Sequence, residues 1–154
     1  MGYVITNAGL ERLITTAFAG GNTTLRAAVI ATGGTITDAA IEDAATNTAI
    51  IGVNGEAEVT NTNYARQTLT GVTVTKNVGT NKIEIRGTVP VINNVAAGSV
   101  WRRVLYYFNV GTEGSAGDAS HIPLAVDTPA ATLTPNGGNV TVPPLTIDIN
   151  DTSP

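Results

Sequence analysis

Trp101-Arg102-Arg103-Val104-Leu105-Tyr106-Tyr107-Phe108-Asn109-Val110 is the stretch that decides the fold. After Arg103 both alternating sets, Val104/Tyr106/Phe108 and Leu105/Tyr107, are apolar or aromatic. A strand sends successive side chains to opposite faces, so this pattern predicts a strand covered on both sides. Most of the chain's aromatic residues stand here, and aromatics bury large areas at cores and interfaces. One face is then the core; the other lies under an N-terminal helix or against another subunit.

Upstream, Lys82-Ile83-Glu84-Ile85-Arg86-Gly87-Thr88-Val89 alternates strictly, with Ile83, Ile85 and Val89 on one face and Lys82, Glu84, Arg86 and Thr88 on the other. The turn-prone Asn77-Val78-Gly79-Thr80-Asn81 makes residues 65–76 and 82–89 an antiparallel hairpin. Residues 25–31, Leu-Arg-Ala-Ala-Val-Ile-Ala, read as a largely buried first strand stopped by Gly33-Gly34. Residues 38–45 read as a short helix begun at Asp38 or as an extended surface loop. Residues 7–19 form an amphipathic helix: Asn7 caps it, Leu10, Leu13, Ile14, Ala17 and Phe18 share a face, and Gly20-Gly21 ends it.

Downstream, Ile122-Pro123-Leu124-Ala125-Val126 is a short strand and Pro135-Asn136-Gly137-Gly138 a turn. A last strand, Val140-Thr141-Val142, is broken by Pro143-Pro144 and resumes over residues 145–149, which suits an edge or a bulge. The expectation is a single mainly β domain over 1–154: an antiparallel β-sandwich of jelly-roll or immunoglobulin-like type over 24–149 with one N-terminal amphipathic helix over 7–19. Residues 32–62 read as an extended loop or arm, and 143–154 as a tail.

Composition narrows the function. The 154 residues carry 8 Lys+Arg against 12 Asp+Glu, one His and no Cys, and only 13% are charged, about half the usual ~25%. Without cysteine there is no disulfide framework or thiolate metal site. A net charge of −4 and a lone basic doublet, Arg102-Arg103, argue against a nucleic-acid partner, whose affinity comes from clustered cations. No apolar run approaches the ~18–20 residues of a spanning helix, and no basic segment precedes the first apolar stretch, so neither a membrane partner nor a signal peptide is expected.

Chemistry-bearing patterns are sparse. His121, the one imidazole, sits beside Ser120 and Asp118, where sequence neighbours seldom reach triad geometry, and reads as an exposed loop histidine. Asp148, Asn150 and Asp151 lack the spacing of a calcium loop, and the pairs Glu42/Asp43 and Glu56/Glu58 read as solvated faces. The Gly-Gly pairs are turns, not phosphate loops. No catalytic, metal-binding or cofactor-binding residue is assigned, no cofactor is expected, and the chain reads as a structural or binding module, not an enzyme.

At Tyr64-Ala65-Arg66-Gln67-Thr68-Leu69 the chain resembles a widespread group of small tailed-bacteriophage virion proteins. That group typically shows an early apolar strand, a Tyr-Ala-Arg-Gln-x-Leu segment, an aromatic strand and a closing Gly-Gly-x-Val-Thr-Val. This chain has them in order at residues 25–31, 64–69, 101–108 and 137–142, with the short strand at 122–125 between the last two, so the resemblance covers about 24–149. It implies a capsid decoration, or cement, protein on the exterior of the mature head. The implied partners are the major capsid protein and the chain itself, as a dimer or trimer. The opening Ile5-Thr6-Asn7-Ala8-Gly9-Leu10 also looks like the start of some tail-fibre and tail-collar proteins, which keeps a tail role as the alternative. The candidate contact elements are residues 1–6, 32–62 and 143–154. The candidate interface residues are Tyr3, Ile5, Ile36, Ile41, Ile50, Trp101, Tyr107, Pro143, Pro144 and Leu145.

Overall fold

The structure, a computed structural model, describes residues 2–6, 8, 9, 12, 24–77, 79, 80, 82–110 and 118–150. These residues are mainly β. The strands are β1 (Gly2–Ile5), β2 (Leu25–Ala31), β3 (Gln67–Thr68), β4 (Thr70–Asn77), β5 (Lys82–Thr88), β6 (Trp101–Phe108), β7 (Ile122–Thr128) and β8 (Leu145–Asn150). All pairings are antiparallel and form two sheets, one ordered β1-β7-β6-β2-β3 and the other β4-β5-β8. The helix expected over 7–19 lies outside the described residues except at 8, 9 and 12. At its approach the Thr6 hydroxyl donates to the Pro123 carbonyl and accepts the Gly9 N–H at 2.9 Å.

The aromatic strand β6 occupies the middle of the larger sheet, as its two apolar faces require. It pairs with β2 from Leu25↔Phe108 to Val29↔Val104 and with β7 from Val104↔Asp127 to Phe108↔Ile122. Pro123 falls at the register slip beside Tyr107, a place in the ladder where a missing N–H is tolerated. The 65–76/82–89 hairpin forms through β4 and β5, but its first arm is divided. Gln67 and Thr68 pair with β2 in the larger sheet, Leu69 is buried, and the chain then enters the smaller sheet through a bulge at Gly71, whose φ of +60° suits glycine.

Two apolar clusters flank the larger sheet. On one face Val104, Tyr106 and Phe108 join Leu25, Ala27 and Val29 and meet Ile85, Leu145 and Ile147 of the smaller sheet, so both sheets contribute to one core. On the other face Leu105 and Tyr107 join Ala28, Ile30 and Val126 under Ile36, Ile41, Ala44 and Ile50. The described cover of the second face is therefore the chain's own 36–50 segment, an element that neither sequence-based alternative named. Within it Asp38–Glu42 forms the short helix α1, capped by Thr37, whose hydroxyl accepts the Ala40 N–H, and Asn47–Ala49 forms a single 3₁₀ turn. Burying an isoleucine side chain contributes about 1.5–3 kcal/mol, so Ile36, Ile41 and Ile50 suffice to hold an otherwise irregular segment down.

Candidate interaction surfaces

The structure separates the ten candidate interface residues by depth. Ile36, Ile41, Ile50 and Tyr107 are buried in the cluster beneath the 36–50 cover, and Trp101 and Leu145 in the core between the sheets. These six contact their own chain, because the 32–62 segment lies on the sheet instead of extending as an arm. Residues 2–5 and 145–150 are likewise paired strands, not free ends. Tyr3, Ile5 and Pro143 are half-buried, and Pro144 is exposed.

Two of these four meet although they are 141 positions apart. The Tyr3 hydroxyl donates to the Pro144 carbonyl at 2.9 Å and accepts the Thr146 N–H at 3.2 Å, clipping edge strand β1 of one sheet to edge strand β8 of the other. Beside it the Tyr106 hydroxyl donates to the Pro143 carbonyl at 2.7 Å, with the Tyr3 and Tyr106 rings 6.1 Å apart. An open groove of about 330 Å³, lined by Tyr3, Pro144, Thr146 and Asp148, runs along this seam. Burial, followed by the nearby Asp127 carboxylate, raises the Tyr3 phenol above its usual 10.0, so it stays protonated and able to donate. Asp127 is fully buried with neither carboxylate oxygen hydrogen-bonded, and loss of hydration raises its pKa.

Away from the seam, the ionisable groups hold the fold together. Arg66 makes bidentate contacts with two carboxylates, Glu58 at 2.8 and 2.6 Å and Asp118 at 2.6 and 2.8 Å, and lies 5.6 Å over the Tyr107 ring. Burial opposes its charge, but the hydrogen bonds it donates to Glu58 and Asp118 outweigh it and raise the Arg66 pKa. Tyr64 donates to Glu58, accepts the Val29 N–H and packs edge-on to Trp101. The Tyr-Ala-Arg-Gln segment that carries the resemblance is thus the fastening between β2, β6 and the loop before β7. Glu56, fully buried, pairs with Arg103 and accepts the Ile36 N–H at 3.2 Å, while its carboxylate packs directly on Gly34. A Cβ at Gly34 would lie 2.1 Å from the Glu56 carboxyl carbon, so only glycine fits.

These contacts correct two expectations. Glu56 and Glu58 are not a solvated face, because each answers an arginine on the sheet's second face. His121 is not an exposed loop residue: it is fully buried, its Nδ1 accepts the Val110 N–H at 3.1 Å and its ring lies 5.1 Å from that of Tyr107. Asp118 has both oxygens on Arg66, while Ser120 donates to the Val110 carbonyl and His121 accepts the Val110 N–H. Asp148 pairs with Arg86 at 2.6 Å and Lys82 at 3.8 Å on the outside of the smaller sheet.

A second accessible feature is one the sequence pattern did not mark. Every residue from Thr70 to Thr75 of β4 is exposed, and β4 is an edge strand. Val74 pairs with the fully buried Ile85, yet it is 39% exposed and Val72 37%, because the core ends before reaching β4. The sequence signal was available: Thr70-Gly71-Val72-Thr73-Val74-Thr75 alternates two β-formers, neither of them charged.

Comparison with known protein families, with curated proteins and with solved structures finds no match to this chain. No described helix is long and apolar enough to cross a membrane.

Proposed function

We propose that this chain is a bacteriophage capsid decoration protein, a non-enzymatic cement that binds the exterior of the mature head and contacts the major capsid protein. The two sheets are read as the layers of a β-sandwich, since both feed one apolar core. The observation that carries the functional reading is the seam: strands from distant parts of the chain are locked side by side, leaving Tyr3 and Pro144 accessible along one groove. An aromatic ring and a proline held rigidly offer contact area at low entropic cost, which suits docking on a repeated lattice. Binding only the mature shell stabilises it by linkage, and many equivalent sites let modest contacts suffice. The order of apolar strand, Tyr64-to-Leu69 segment, aromatic strand and Gly137-to-Val142 closure supports the same reading, as does the use of Glu56, Glu58, Asp118 and His121 in internal contacts.

The test is co-sedimentation of purified protein with undecorated expanded capsids, together with capsid thermal stability. Binding with a raised capsid melting temperature, weakened at least tenfold by Tyr3→Ala, is expected. The absence of both binding and stabilisation overturns the decoration reading. Antibody labelling confined to the tail of intact virions establishes the tail alternative in its place.

A further inference from the structure

We propose that β4 pairs edge to edge with β4 of a second copy, in a two-fold arrangement centred on Val74 that joins two three-stranded sheets into one of six strands. This deepens the assembly reading above and rests on it only for the strength of the contact.

The described sheet edges are unequally protected. In the larger sheet they are β1, four residues, and β3, two residues; in the smaller sheet β8 follows Pro143-Pro144 and carries Asp148 in its ion pairs. β4 has eight residues, one charged position at Lys76 and exposed side chains at both Val72 and Val74. Natural edges of this length are normally blocked by charge, proline or distortion, because an open row of N–H and C=O groups templates pairing; in β4 such devices stand only toward the ends, the bulge at Gly71 and the charge of Lys76, and residues 72–75 between them carry none.

The occupant follows from the strand itself. The bulge at Gly71 ends the straight run, leaving residues 72–76 free to pair. A two-fold centred on Val74 overlaps that whole run, sets Val74 against Val74, Thr73 against Thr75 twice, and Lys76 against Val72 of the other copy. Cross-strand β-branched and threonine pairs are favourable, and like charges do not face. Although the chain carries −4, Lys82 and Arg86 of the smaller sheet are ion-paired with Asp148 and Glu84, so these groups add no strong net charge beside the join. Five paired residues span only about 17 Å. That is far short of the ~800 Å² per partner of a stable free dimer, so the pairing is weak alone and strengthened when a lattice holds neighbouring copies in place.

The chain has no cysteine, which makes a clean test available. Val74→Cys is oxidised beside Val91→Cys, whose position is 47% exposed and outside the strands. Val74→Cys is expected to form disulfide dimer at least tenfold faster, and Val74→Lys to weaken self-association in sedimentation equilibrium at least tenfold with unchanged melting temperature. Equal cross-linking at 74 and 91, or association unaffected by Val74→Lys, overturns the pairing. Capsid co-sedimentation is read separately: a cross-linking protein that ignores capsids loses the decoration reading and keeps the pairing, and the reverse result does the opposite.

Discussion

The larger sheet is covered on both faces and its edges are short; the smaller sheet is covered on one face and leaves an eight-residue edge bare. The same residue types therefore have different consequences in the two. An isoleucine over the larger sheet closes a core, whereas a valine on β4 is accessible to a partner. If β4 pairs as proposed, stability and association are housed in different sheets, and substitutions should separate them.

The largest effect is expected at the buried pair of Arg103 and Glu56. Glu56→Ala leaves Arg103 charged and unpaired inside the second face and should cost about 3–5 kcal/mol in urea unfolding. Replacing both by methionine should restore most of it; a double variant as unstable as the single would show that the pair is needed for more than mutual neutralisation. Ile50→Ala, under the cover, should cost about 2–5 kcal/mol without altering self-association. A smaller loss, about 1 kcal/mol, is expected for Tyr3→Phe, which removes the hydroxyl clip but keeps the ring. Asp127 adds a slope. Its folded pKa is raised above the ordinary 3.8, so the folded state binds the extra proton and stability falls as pH climbs from that value through the folded pKa. Asp127→Asn should remove this decline, and an unchanged pH profile of unfolding would break the assignment. Least of all, Val74→Ala should alter stability by no more than about 0.5 kcal/mol while weakening association, which calorimetry and sedimentation together can check.

Much of the β structure was legible because the apolar pattern of a strand records which of its faces are covered. Residues 101–108 revealed both covered faces, and residues 82–89 their single one. The cover itself was not legible. Ile36, Ile41 and Ile50 touch the sheet at isolated points and obey no period, so their spacing resembles that of a loop. The buried carboxylates were hidden for another reason: Glu56 and Arg103 are 47 positions apart, and Arg66 and Asp118 are 52 apart. One clue was present, since Arg103 alternates with Leu105 and Tyr107 and must share their face, where a guanidinium requires a carboxylate. The seam between Tyr3 and Pro144 depends on which sheet edges end up adjacent, a property of topology that no local pattern encodes.

That seam also sets an order of events. β1 is the first strand of the described chain, but its ladder partners in β7 lie 120 to 126 positions away and its hydroxyl clip on β8 further still. During synthesis residues 2–5 emerge long before the strands that receive them, so β1 has no ladder partner until β7 is made. Docking of β1 is then a late step of folding, and the groove that carries the proposed contact exists only once the chain has finished it.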